Sequence, residues 1–228
     1  MCILRTQREL STFYLDAVAT GSQTAERLCA PVSDRFARFL NSLHHHVPAT
    51  ALDLGYGMGT YSLALAHAGF RVVAIDQVPA RYLQRRLAGH ADWTERIRIV
   101  ERRVEDYAPA EQFGVVVAKD VLHYLRRDQV RRVLGGCIDE APAGAAHFLE
   151  VFTDIRRTDR RGRRVLIEDE AAYSTASFRE TIEHLYTGWH VRLQLAPHTE
   201  RNTDSPGNYF EANRITVCAH LNPGFAVN

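Results

Sequence analysis

The chain has 228 residues, 46% of them hydrophobic and 24% charged, with a formal net charge of +1. That length suffices for one sizeable core, the composition is globular and neither disordered nor fibrous, and the charge makes no case for a nucleic-acid or membrane partner. No apolar run approaches the roughly 20 residues of a membrane-spanning helix. The opening residues, MCILRTQRELSTFY, lack the basic-then-apolar order of a secretory signal, so the sequence predicts a cytoplasmic protein. Cys2, Cys29, Cys137 and Cys218 lie far apart with no CxxC pair, which predicts free thiols and no structural zinc. All 28 basic residues are Arg except Lys119.

The first thirty residues read as helical, with Phe13, Tyr14, Ala17 and Val18 at helical spacing and Gly21 as a stop. Ser33 is the expected N-cap of a second helix that carries Phe36, Phe39, Leu40 and Leu43 on one face. His44, His45 and His46 follow at its end. Adjacent histidines on a helix point three ways and cannot share a metal well. From residue 50 the pattern alternates. Short apolar runs at 51–54, 72–75, 97–100, 115–118 and 148–152 read as strands. Helical stretches at 60–68, from Pro79 to Leu87, and at 129–138 separate them. This alternation predicts an α/β fold: a doubly wound, mostly parallel, Rossmann-like sheet with helices on both faces. Beyond residue 177 a helix is followed by two strands, 190–195 and 215–219, with a polar loop at 196–213 between them. These would add a C-terminal antiparallel pair at the sheet edge.

The chemical signal is Ala51-Leu-Asp-Leu-Gly-Tyr-Gly-Met-Gly-Thr-Tyr-Ser62. Three glycines at spacing two follow a strand and precede a helix, a pattern that permits tight turns and close approach of a ligand to the main chain. The third glycine comes one residue earlier than in the GxGxxG dinucleotide fingerprint. Asp53 precedes the loop, and Val72-Val-Ala-Ile-Asp76 ends the next strand in a carboxylate able to accept hydrogen bonds from both hydroxyls of a ribose.

Residues 49–155 resemble, in order and spacing, the class I S-adenosylmethionine-dependent methyltransferases. The resemblance implies S-adenosylmethionine as cofactor. It assigns Gly55, Gly57 and Gly59 to the cofactor's amino-acid and ribose portion, Asp53 to its methionine amino end, and Asp76 with Gln77 to the ribose. The family commonly places an adenine-binding Asp after the third strand. Here Arg103 takes that register, which leaves Glu105, Asp106 or the Val104 backbone for the adenine. Tyr56 is bulkier than the residue usual between the first two glycines. Lys119 lies where amino-group methyltransferases with an N-P-P-Y motif place Asn or Asp. There it either orients or deprotonates the acceptor, aided by the lowered pKa that burial favours, or supports the cofactor through its main chain while pairing with Asp120. His123, at i+4 from it, is either a second catalytic group on the same face or a packed histidine.

The tail Tyr186-Thr-Gly-Trp189, Thr203-Asp-Ser-Pro-Gly-Asn208 and Arg214-Ile215 resembles that of tellurite-resistance-type methyltransferases. Arg201 and Asn202 stand where that family has His-Arg, and Tyr209 to Asn213 are inserted, so the tail points to a related pocket with another substrate. The resemblance places Arg201 and Arg214 on the acceptor side, and Tyr14 of the N-terminal helix covers it. The run RRTDRRGRR at 156–164 either clamps an anion or is a solvated loop neutralised by nearby acids. The sequence thus predicts a helical cap over 1–48 and a methyltransferase domain over 49–228. That domain would act on a small, anionic acceptor without a metal. A cofactor-binding protein without transfer and an RNA or protein methyltransferase share the same motifs.

Overall fold

The computed structural model describes residues 2–20, 30–43, 47–201 and 208–222. Gly21, Cys29, the three adjacent histidines, Asn202 and most of the turn that follows it lie outside these residues.

The described strands are β1 (Cys2–Arg5), β2 (Thr50–Leu54), β3 (Arg71–Asp76), β4 (Ile97–Glu101), β5 (Val115–Lys119), β6 (Ala146–Thr158), β7 (Arg164–Ile167), β8 (His190–Arg201) and β9 (Asn208–His220). The described helices are α1 (Gln7–Thr20), α2 (Asp34–Asn41), α3 (Thr60–His67), α4 (Arg81–Leu87), α5 (Ala91–Arg96), α6 (Arg127–Asp139) and α7 (Thr175–Leu185). One sheet runs β1-β7-β6-β5-β2-β3-β4, with β9 on the other edge of β6 and β8 on β9. Strands β4, β3, β2, β5 and β6 are parallel, a pairing that needs crossover connections, and β9 runs antiparallel to both neighbours.

Alternating burial divides the core into two layers. Leu52, Leu54, Val116 and Leu149 face α6 and α7 through Leu134, Phe178 and Ile182. Ala51, Val115, Val117 and Phe148 face α2, α3 and α4 through Phe36, Phe39, Leu65 and Leu83. Helix α2 starts where expected: the Ser33 hydroxyl accepts from the Phe36 amide at 3.2 Å. None of the described helices is long and apolar enough to cross a membrane.

Three elements depart from the sequence reading. The N-terminus begins as a strand, β1, parallel to β7 with Ile3 opposite Val165. These two four-residue strands, β1 at the sheet edge and β7 between it and β6, have no clean apolar alternation in sequence to betray them. Because β9 occupies one edge of β6 along its length, β5 and then β7 share the other, so β7 and β1 lie past the carboxyl end of β5. The region 196–213, expected as a loop, is instead strand at both ends: β8 runs to Arg201 and β9 starts at Asn208. Pro197 suggested a break, but β8 pairs only with β9, and an edge strand tolerates a missing N–H. Helix α5, six residues without a buried side chain, gave no periodic signal.

Candidate active site

The glycine loop is held in place by its flanks. Gly55, Gly57 and Gly59 all have positive φ, +77°, +54° and +79°. A Cβ on Gly55 would lie 2.7 Å from the Val121 Cβ, and one on Gly59 would lie 2.3 Å from Leu83 Cδ1, so two of the three positions exclude a side chain on space as well as conformation. The Gly55 amide donates to the Ile75 carbonyl at 2.8 Å, which pins the loop to the end of β3. Tyr56 does not crowd the loop's open side. Its ring is buried in the core and its hydroxyl donates to the Val78 carbonyl at 2.6 Å.

Asp76 closes β3. Its Oδ2 accepts the Gly57 amide at 2.7 Å and its Oδ1 the Val78 amide at 3.0 Å. Burial raises its pKa, opposed by these backbone donors. Asp53 is only 2% exposed and accepts the Ser62 hydroxyl at 2.6 Å. Burial raises its carboxyl to about 7, with Ser62 opposing and the charge of Asp76 adding. Asp53 therefore braces the loop from beneath.

A cleft of about 500 Å3, partly open to solvent, lies over the loop. Its floor is Gly55, Asp76, Gln77, Arg103, Val104, Glu105 and Val121. Helix α1 covers it with Gln7, Leu10, Ser11 and Tyr14. Ser11 donates to the Gln77 side chain at 3.2 Å, and Gln7 donates to the carbonyls of Tyr124 and Glu168, each at 2.9 Å. Of the carboxylates considered for the adenine, Glu105 lines the cleft while Asp106 is exposed. Arg103 pairs with Glu105, its Nε donating at 2.6 Å.

The acceptor-side residues assigned from sequence fall into three places. Lys119, His123 and Arg214 gather around Asp120. Lys119 Nζ lies 2.5 Å from Asp120 Oδ2 and 5.7 Å over the Tyr61 ring. The lowered pKa expected for Lys119 is not found. Burial does lower it, but Asp120, Tyr61 and Glu150 outweigh burial and raise it. His123 does not share a helical face with Lys119. Asp120 adopts φ +53°, and a short 3-10 turn, Leu122–Tyr124, follows. His123 is 1% exposed against Tyr124 and Phe152, and burial drives its pKa down to about 3, against the charge of Asp120. The Arg214 guanidinium lies 4.8 Å over the Phe152 ring and 3.9 Å from Asp120 Oδ2. Arg201 is elsewhere. It is exposed and pairs with Asn208, five residues along β8 from the Ala196–Arg214 pair, or roughly 16 Å at the rise of a strand. Tyr14 is in the cleft wall, its hydroxyl hydrogen-bonded to that of Tyr124.

Sequence reasoning passed over Glu150, fully buried in β6 opposite Lys119 of β5. It accepts the Thr216 hydroxyl at 3.1 Å, and burial raises its pKa, with Asp120 adding. A lone acid inside the apolar run Phe148-Leu-Glu-Val-Phe152 was the available signal. The Arg run spans the end of β6, a turn at 159–163 and the start of β7: Asp159 accepts from Arg163 at 2.8 Å across the turn, and Arg157 of β6 makes two bonds to Glu170, at 2.7 and 2.5 Å.

Residues 51–139 match the family model described as a methyltransferase domain. That match covers less than half of the chain; the cofactor that the sequence resemblance implies is S-adenosylmethionine. The domain's residues fit that cofactor: the backbone is bare at Gly55, and carboxylates of Asp76 and Glu105 reach the cleft. No curated protein matches the chain by sequence. Among solved structures, the fold is similar to that of TehB from Haemophilus influenzae (TM-score 0.57, 16% identity, covering 81% of this chain and 62% of that one). It is similar to the 1,6-didemethyltoxoflavin-N1-methyltransferase of Burkholderia thailandensis, solved with that compound and S-adenosylhomocysteine (0.61, 16%, 93% and 87%). It is also similar to the N-methyltransferase NodS of Bradyrhizobium japonicum, in complex with S-adenosylhomocysteine (0.53, 19%, 83% and 86%). This chain therefore spans less than two thirds of TehB's length.

Proposed function

We propose that the protein transfers the methyl group of S-adenosylmethionine to a small-molecule acceptor bearing an oxyanion. The observation that carries the transfer is the cleft itself, with Gly55, Asp76, Gln77, Val104 and Glu105 on one side and α1 on the other. When bound, S-adenosylmethionine supplies an electrophilic methyl on a sulfonium. Asp76 and Gln77 would hold the ribose side and Glu105 would face the adenine side, with Tyr14 and Tyr124 in the wall of the cleft. Alignment in that cleft is the residues' main contribution to rate.

Arg214 carries the anionic reading. Its Nε is buried without a hydrogen-bond partner among the described residues, a donor that an oxyanion would satisfy. Lys119 is already matched by Asp120, His123 is neutral, and Arg201 is exposed. Small acceptors also suit the similar structures named above, two of which are N-methyltransferases. We place the protein in the cytoplasm, a compartment that keeps free thiols such as Cys137 reduced.

Incubation with labelled S-adenosylmethionine and a panel of carboxylate- and phosphate-bearing small molecules tests the reading. Product S-adenosylhomocysteine should accumulate with at least one of them and drop in Arg214→Met. Accumulation only with RNA or protein would overturn it.

A further inference from the structure

The chain turns sharply where β5 ends. Asp120 sits in the left-handed region, which among non-glycine residues Asp and Asn adopt most readily. The turn brings the next residue, Val121, against Gly55 of the loop. Val121 and Tyr124 line the cleft, and the charge of Asp120 acts on the phenols of both Tyr14 and Tyr124. Asp120 thus stands at the border between the cofactor cleft and the basic residues beyond it.

The two oxygens of its carboxylate differ. Oδ2 accepts from Lys119 at 2.5 Å and lies 3.9 Å from a nitrogen of Arg214. Oδ1 is buried and takes no hydrogen bond from any described residue. A buried, unpaired carboxylate oxygen is unfavourable unless something arrives to satisfy it. The neighbouring His123 also leaves both ring nitrogens without partners.

We propose that Oδ1 of Asp120 accepts the proton of a protic nucleophile, an N–H or O–H group, on the small molecule to be methylated. This rests on the methyl-transfer reading above and narrows the acceptor to that class. A bond forms between the nucleophile's heteroatom and the methyl carbon. The carbon–sulfur bond breaks and its electron pair stays on sulfur. The heteroatom's proton passes to Oδ1 and from there to water.

Sinefungin, an analogue with an amine-bearing carbon in place of the methylsulfonium, puts an ammonium where the transferred methyl would stand, with its N–H groups directed to the nucleophile's side. Calorimetric titrations with sinefungin and with S-adenosylhomocysteine separate the two claims. Wild type should bind sinefungin about tenfold or more tightly than S-adenosylhomocysteine, the size of a charge-assisted hydrogen bond. In Asp120→Asn and Asp120→Gly, two residues that accept a positive φ, that preference should fall to about one while S-adenosylhomocysteine affinity is retained. An equal preference in wild type and both variants would overturn the proposal. Failure of wild type to bind either compound would remove the cofactor reading and this inference with it.

Discussion

Oδ2 of Asp76 accepts the Gly57 amide at 2.7 Å, so the acid that ends β3 and the loop that ends β2 are joined before any ligand is considered. Each oxygen of Asp76 takes one backbone donor and keeps a lone pair for a ribose hydroxyl. The glycine loop and the acid therefore act as one preformed unit.

Substitutions in that unit should separate space from conformation. Gly55→Ala meets the branched Cβ of Val121, which cannot swing away, and should cost about 1–3 kcal/mol through overpacking in addition to about 1 kcal/mol for its left-handed φ. Gly69→Ala has an equally left-handed φ of +97° but nothing within 4 Å, and should cost only about 1 kcal/mol. Thermal denaturation resolves the two at about 2–4 °C per kcal/mol for a chain of this size. Equal shifts would show that Val121 does not constrain the loop.

Lys119 should titrate above an ordinary lysine, because Asp120, Tyr61 and Glu150 together outweigh burial. As the single lysine, it gives one side-chain signal after reductive methylation with carbon-13 formaldehyde. A signal titrating below the ordinary lysine range would restore Lys119 as a general base.

His123 and His147 should stay neutral at pH 5, both driven to about 3 chiefly by burial. Their folded pKa values lie below the unfolded one, so the stability of the neutral forms is present above about pH 6.5 and declines as pH falls toward 3. Asp53, raised to about 7, works in the opposite sense between about 3.8 and 7, so global stability mixes the two. Histidine ring NMR titration isolates the prediction, and a charged ring for either residue at pH 5 contradicts it.

The Arg run should matter through one residue. Arg157 and Glu170 are 14% and 8% exposed and doubly bonded. Arg157→Met leaves Glu170 without that partner and should cost about 3 kcal/mol. Exposed Arg161→Gln should stay within about 0.5 kcal/mol. Comparable losses by chemical denaturation would mean that the run acts through its total charge.

The parallel sheet and the cofactor loop were legible because both are written locally. Apolar runs such as Val115–Ala118 match strands buried on both faces, and Gly55, Gly57 and Gly59 mark backbone with positive φ. What was not legible depends on distant partners. Strand β1 exists because β7 lies beside it, and β8 continues through Pro197 because its outer edge is free. Lys119, His123 and Arg214, assigned to the acceptor side from sequence, gather around Asp120, whose left-handed turn has no sequence signature. Arg201 was placed by a short tail motif, and the length of the β8–β9 hairpin carries it away.

Calorimetric titration of S-adenosylhomocysteine into wild type and Asp76→Ala tests the central claim most directly. Wild type should bind, and the variant, folded by circular dichroism, should bind about ten- to a hundredfold more weakly, as loss of charge-assisted hydrogen bonds of about 1.5–3 kcal/mol requires. Equal affinity in the two folded proteins, or no binding by wild type, would contradict the assignment of this cleft to the cofactor.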